Sequence, residues 1–255
     1  MPVFVRFRDR AGRIAAGVLS ENGDIISVIE EPFWEVVSRT GETFSTGDVS
    51  LLPPCEPRSI VCVGLNYQSH LNGRPVPDPP TLFLKPLSSI SGPGDDIVLP
   101  RGAGRVDPEG EIVVVIGRKI RGAQVSSALE SVFGYTCGND VSAREWQQAD
   151  GQWWRAKGTD SFGVFGPAIA TGLDPRAIEL QTRVNGNEVQ RALSSELILG
   201  ISEVVSLVSA HMTLEPGDVI FTGTPGSPPA LKPGDVVEVE VKGAGILRNG
   251  VVQGE

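Results

Sequence analysis

Val106-Asp107-Pro108-Glu109-Gly110-Glu111-Ile112-Val113-Val114-Val115-Ile116-Gly117 is the stretch from which the rest of the chain can be read. The apolar run Ile112–Ile116, closed by glycine, predicts a hydrophobic strand. Side chains alternate along a strand, so Glu109 and Glu111 project from one face, roughly 7 Å apart at the backbone. Two convergent carboxylates beside a hydrophobic strand call for positive charge between them. A hard divalent cation is the natural candidate, with a third oxygen ligand drawn from elsewhere. Taken alone, the pair could equally be solvated residues on an edge strand.

Composition agrees with a strand-rich chain. Gly and Pro number 31 and 20 of 255 residues, a fifth of the total against a usual share of about 12%. With no low-complexity repeat, that excess predicts many turns between short strands. The formal charge of −9 argues against nucleic acid or an anionic membrane as partner. Cys55, Cys62 and Cys137 fit no zinc spacing, and no apolar run reaches the ~18 residues that span a bilayer. The expectation is a soluble cytoplasmic protein.

Residues 2–8 and 14–30 alternate around Glu21-Asn22-Gly23-Asp24, which predicts a small N-terminal β-rich unit over 1–52. Leu51-Leu52-Pro53-Pro54-Cys55-Glu56-Pro57 stiffens the boundary before a larger unit over 58–255. Ile60–Gly64 should be a buried strand, followed by a Pro/Gly-rich loop over 67–80. Capping boxes at Ser127/Glu130 and Ser142/Glu145 predict two helices. A third is expected over about 202–212, burying Val204, Val205, Leu207, Val208 and Met212.

Other polar residues gather meaning from position. Asp140 closes a strand just ahead of the second capping box, and Lys157 and Asp160 lie in Arg155-Ala156-Lys157-Gly158-Thr159-Asp160. Each alone reads as an ordinary turn or surface residue. His70 enters the loop after Gly64-Leu65-Asn66-Tyr67, where binding groups often sit. His211 at a helix C-terminus is explained by the macrodipole. Thr222-Gly223-Thr224-Pro225 offers amides and hydroxyls but lacks any phosphate-loop lysine.

In order, these segments resemble the fumarylacetoacetate hydrolase family from about Ile60 to Val251. The matching runs are Val63-Gly64-Leu65-Asn66-Tyr67 with His70, Phe83-Leu84-Lys85-Pro86, the Asp107–Gly117 strand and Asn139-Asp140-Val141-Ser142-Ala143-Arg144. Lys157-Gly158-x-Asp160, Val184-Asn185-Gly186, Leu214-Glu215-Pro216-Gly217-Asp218 and Thr222-Gly223-Thr224-Pro225-Gly226 complete them. The resemblance implies an α+β, predominantly β fold: a rolled mixed sheet with few helices and a small leading β unit. It also implies a homodimer using Mg²⁺ or Mn²⁺ and acting on a small 2-oxo acid. Glu109, Glu111 and Asp140 match its metal ligands. Lys157 and His70 match its catalytic groups, and Arg144, Gln147, Gly223 and Thr224 match its substrate side.

One departure bears on the reaction. Family hydrolases carry a glutamate three residues after the loop histidine, and here that position is Gly73. General-base assistance is worth on the order of 10²–10⁴ in rate, so losing its orienting partner should weaken water attack most. Decarboxylation of a β-oxo acid, or enol–keto isomerisation, needs a stabilised enolate without activated water. The expectation is therefore C–C hydrolysis or decarboxylation of an acylpyruvate or β-oxo dicarboxylate. Isomerisation of 2-hydroxy-dienoates, or a non-catalytic metal-binding scaffold, stands as the alternative.

Overall fold

The computed structural model describes residues 1–254. Its backbone is a twelve-stranded mixed sheet beside a five-stranded one. The main path of the large sheet runs Arg39–Ser45, Ile25–Ile29, Ile14–Leu19, Val3–Arg8, Gly163–Ala170, Val132–Asp140, Gly110–Ile116, Val219–Phe221, Ile60–Gly64 and Thr81–Lys85. Pairing is mostly antiparallel, with Val219–Phe221 parallel to Ile60–Gly64. The N-terminal strands continue the same sheet, because Val3 pairs with Ala170 and Phe4 with Ile169.

Gly110–Ile116 lies near the middle of this sheet and is buried throughout. Ile112, Val114 and Ile116 enter the core shared with Leu180, Val239 and Val241 of the second sheet. Val113 and Val115 pack on the opposite face with Phe165 and Phe221. Cover on both faces is why the run is unbroken rather than alternating. Gly110 takes the parity that faces the second sheet, and a Cβ there would lie 1.9 Å from Thr182 Oγ1. Glu109 and Glu111 take the other parity.

Helices are few and short: α1 Gln68–Leu71, α2 Arg144–Ala149, α3 Trp154–Gly158 and α4 Ile201–His211. None of them is long and apolar enough to cross a membrane. Helix α4 occupies its expected span, but Leu207 and Met212 are only half-buried. Both capping boxes need correction. Ser127 precedes a single 3-10 turn, Ala128–Ser131, because the Val132–Asp140 strand begins at once. Ser142 belongs to a two-residue strand paired with Val106–Asp107, and its Oγ donates to the Asp140 carbonyl. Helix α2 starts after it with no side-chain cap. Glu145 instead accepts the Arg105 backbone N–H at 2.5 Å.

Candidate active site

Two adjacent strand ends build the floor. Glu109 precedes the Gly110–Ile116 strand and Glu111 is its second residue, while Asp140 ends the neighbouring Val132–Asp140 strand. Backbone bonds fix the register: Asp140 N–H donates to the Glu109 carbonyl at 2.9 Å, and Glu109 N–H donates to Asn139 Oδ1 at 2.8 Å. One carboxylate oxygen from each of the three acids lies within 4.8 Å of the others, and all three are buried. Burial disposes of the solvated edge-strand reading.

The cations that offset these acids arrive from elsewhere in the chain. Lys157, on α3, donates to Glu109 Oε2 at 2.5 Å and Asp140 Oδ2 at 2.7 Å. Lys85, which sequence reading placed only within a motif, sits 2.5 Å from Asp140 Oδ1. Arg144 Nη2 lies 2.6 Å from Glu109 Oε1, and its Nε donates to Asp107 Oδ2 at 2.8 Å. Arg105 donates to the other Asp107 oxygen at 2.7 Å. Asp107, Arg105 and Lys85 are thus site residues that the sequence argument passed over. Lys85 and Asp107 stood inside matched runs without a role of their own, and Arg105 lay two residues before one.

Electrostatics separates the acids. Burial pushes the Glu109 carboxyl up, but Lys157, Arg144 and His70 more than offset it and hold the group well below the usual range. Glu111 goes the other way: burial, then Asp140 and Glu109, push its pKa well above 4.5. Burial alone would lower the Lys157 pKa, yet Asp140 and Glu109 raise it further, so the ammonium keeps its proton.

Glu109 Oε1 and Asp140 Oδ1 are buried without an aligned hydrogen-bond donor, although Arg144 and Lys85 stand within ion-pair distance. Buried carboxylate oxygens without an aligned donor, beside a Glu111 whose ionised form burial and two neighbouring acids disfavour, are what a hard divalent cation satisfies. The residues therefore fit such an ion, with Glu109, Glu111 and Asp140 as its holders.

His70, Arg144 and Gln147 line the mouth of the cleft, about 440 Å³, and Thr224 lines its carboxylate floor. Arg144 and Gln147 share one face of α2, and Arg144 Nη1 donates to Gln147 Oε1 at 2.9 Å. Gly223 N–H is already spent on Glu111 Oε2 at 2.7 Å. Thr224 Oγ1 donates to the Gly110 carbonyl at 2.9 Å and accepts from Gln190 Nε2 at 2.7 Å. Gln190, missed in the sequence, comes from the second sheet. It also accepts Gly110 N–H at 3.1 Å, tying the Thr222–Gly226 turn to the ligand strand.

His70 sits on α1, a single helical turn rather than the open loop expected. Its Nδ1 is 2.5 Å from the Gly226 carbonyl, and its Nε2 is 3.8 Å from Glu109 Oε1. A carbonyl only accepts, so Nδ1 carries the proton and, in the neutral ring, Nε2 carries the lone pair. The missing lid glutamate has a neutral replacement in the backbone of another loop.

Residues 59–252 match the family model described as fumarylacetoacetate (FAA) hydrolase C-terminal, and residues 4–54 match one described as Rv2993c-like, N-terminal. A Mycobacterium smegmatis structure described as 5-carboxymethyl-2-hydroxymuconate delta-isomerase is 41% identical. Each chain covers all of the other, with a TM-score of 0.93. The human mitochondrial oxaloacetate tautomerase FAHD2A is 40% identical over 79% of this chain and 69% of its own. Maleylpyruvate hydrolase from Sphingobium sp. SYK-6, solved with manganese(II) and pyruvate, is 29% identical over the full length of both chains, with a TM-score of 0.81.

Proposed function

Given that the chain belongs to the fumarylacetoacetate hydrolase family, we propose that it is a divalent-metal-dependent enzyme interconverting the enol and keto forms of a small 2-oxo dicarboxylate of the oxaloacetate class. The observation that carries this reading is the setting of His70. Its Nδ1–H is held by a neutral carbonyl, which leaves Nε2 a positioned base with no carboxylate behind Nδ1. Moving a proton between a carbon and an oxygen of one substrate asks no more of it. Activating water for C–C hydrolysis asks for a partner that stabilises the imidazolium from behind.

Charge points to a dicarboxylate. Arg74, Arg105 and Arg144 line the mouth against one acid, Asp107, leaving it formally at +2. Deeper, three carboxylates face two lysines, so a bound dication brings the inner site to +1. A dianion suits both layers despite the chain's net −9.

Mg²⁺ or Mn²⁺ held by Glu109, Glu111 and Asp140 would supply Lewis-acid stabilisation of negative charge on the substrate's 2-oxo oxygen. Arg144, braced by Asp107, orients a carboxylate at the mouth. His70 Nε2 takes the proton from C3 of the keto form and returns it at the enol oxygen. Lys157 keeps its proton and acts by charge. The relatives named as a tautomerase and an isomerase support this order. The hydrolase relative keeps acylpyruvate cleavage as the second reading, and the homodimer and cytoplasmic setting remain part of the proposal.

The test follows the ultraviolet absorbance of enol-oxaloacetate with Mg²⁺, with Mn²⁺ and with EDTA, alongside acetylpyruvate. Metal-dependent loss of the enol band without pyruvate release supports tautomerisation. Pyruvate from acetylpyruvate moves the assignment to hydrolysis, and CO₂ with pyruvate from oxaloacetate moves it to decarboxylation. Metal binding without turnover of any kind leaves the scaffold reading.

A further inference from the structure

Leu65 holds φ at +60°, the left-handed region that a bulky residue seldom adopts. Its neighbour explains how the conformation is enforced. The Asn66 amide donates to the carbonyls of Leu199 and Thr222, and its oxygen accepts Leu199 N–H. The clamp sets the chain's path, but it does not explain why the strained position carries a leucine rather than a glycine.

The side chain's surroundings suggest the reason. Leu65 lines the mouth of the cleft, the carboxylate floor, and a separate cavity of about 260 Å³. That cavity lies under the proline-rich segment after α1 and is walled by Val63, Val76, Pro77, Ile198 and Leu199. Nothing in the chemistry above uses it. Its Asp78 would repel a second carboxylate, so it suits a neutral alkyl chain.

We propose that Leu65 sets the length of substrate the cleft accepts, because it belongs to the wall, shared with Val63 and Gly64, between the carboxylate site and this apolar cavity, and brings the large side chain nearest the mouth. This rests on the 2-oxo acid reading. Removing the side chain joins the two spaces and admits 2-oxo acids with an unbranched alkyl tail, such as medium-chain acylpyruvates. Leu65→Gly also relieves the left-handed strain, so the variant should fold.

The experiment measures two things on Mn²⁺-loaded wild type, Leu65→Gly, Leu65→Ala and the double variant Leu65→Gly/Ile198→Phe. One is kcat/KM on acylpyruvates from acetyl to octanoyl. The other is the Kd of unreactive N-alkyl oxamates of rising chain length, by calorimetry. In Leu65→Gly, affinity should rise about fourfold per methylene (about 0.8 kcal/mol) over the first few carbons. Leu65→Ala should rise less, wild type should stay flat or fall, and Ile198→Phe should abolish the gain. An equally flat oxamate series in a folded, metal-binding Leu65→Gly protein would overturn the proposal. So would a wild type that already gains with each carbon. If no acylpyruvate or oxaloacetate reacts in wild type, the functional reading falls, while the oxamate series still decides the role of Leu65.

Discussion

Glu111→Gln should stabilise the metal-free protein by an amount that grows with pH. The Glu111 carboxyl is 2% exposed, and its pKa is pushed well above 4.5 by burial and then by Asp140 and Glu109. In the unfolded chain it ionises near 4.5. Between that value and its raised native pKa, the native state holds one proton more than the unfolded state. Stability therefore falls as pH rises, by about 1.4 kcal/mol per unit. Glutamine does not titrate and keeps an oxygen to accept the Gly223 N–H. The variant's advantage should widen with pH above about 4.5, at that slope, for as long as the wild-type carboxyl stays protonated.

Urea melts in EDTA at four pH values between 5 and 8 read this directly. Metal should narrow that gap. A cation needs the carboxylate form, so wild type gains about 2.7 kcal/mol at a hundredfold excess over Kd, while the glutamine variant gains less. Binding should also release a proton, measurable by calorimetry in buffers of different ionisation enthalpy. An advantage independent of pH, together with no proton release, would refute the reasoning and place the shared proton elsewhere among the acids.

His70→Gln should lower kcat by about 10²–10⁴ with metal affinity unchanged, checked by steady-state kinetics beside metal titration. Gln190→Leu strands the Gly110 N–H and frees Thr224 from its donor. It should cost about 1–3 kcal/mol per unpaired group and raise KM more than it lowers kcat. Gly110→Ala should destabilise by about 1–3 kcal/mol or more through the clash with Thr182 Oγ1. Because that hydroxyl has no hydrogen-bond partner, Thr182→Ala in the same chain should recover much of the loss in a melting experiment.

Much of the site was legible because its parts are local. The alternation in Glu109-Gly110-Glu111 gave two carboxylates on one face, and the 144/147 spacing on α2 gave two polar groups on another. Helix boundaries were read less well. The serines at 127 and 142 satisfy a capping pattern, but strand pairing on either side claimed the backbone that a longer helix would have needed. The charge balance was incomplete for a related reason. Lys85 and Asp107 look like any other charges in a linear chain, and only burial makes them part of one network.

The family resemblance also implied a poorly oriented base at His70, since position 73 is glycine. The Gly226 carbonyl supplies that orientation from 156 residues away in sequence, so the absence of a glutamate was visible and its substitute was not. Periodicity, turn chemistry and collinear motifs determine the strand-rich architecture and the three acids, because each depends on neighbours within a few residues. Packing decided which carboxyl is pushed up and which down, which amides are already spent, and which carbonyl holds the imidazole. Those outcomes depend on distance through space and on exclusion of water, and neither is encoded at any single stretch of the chain.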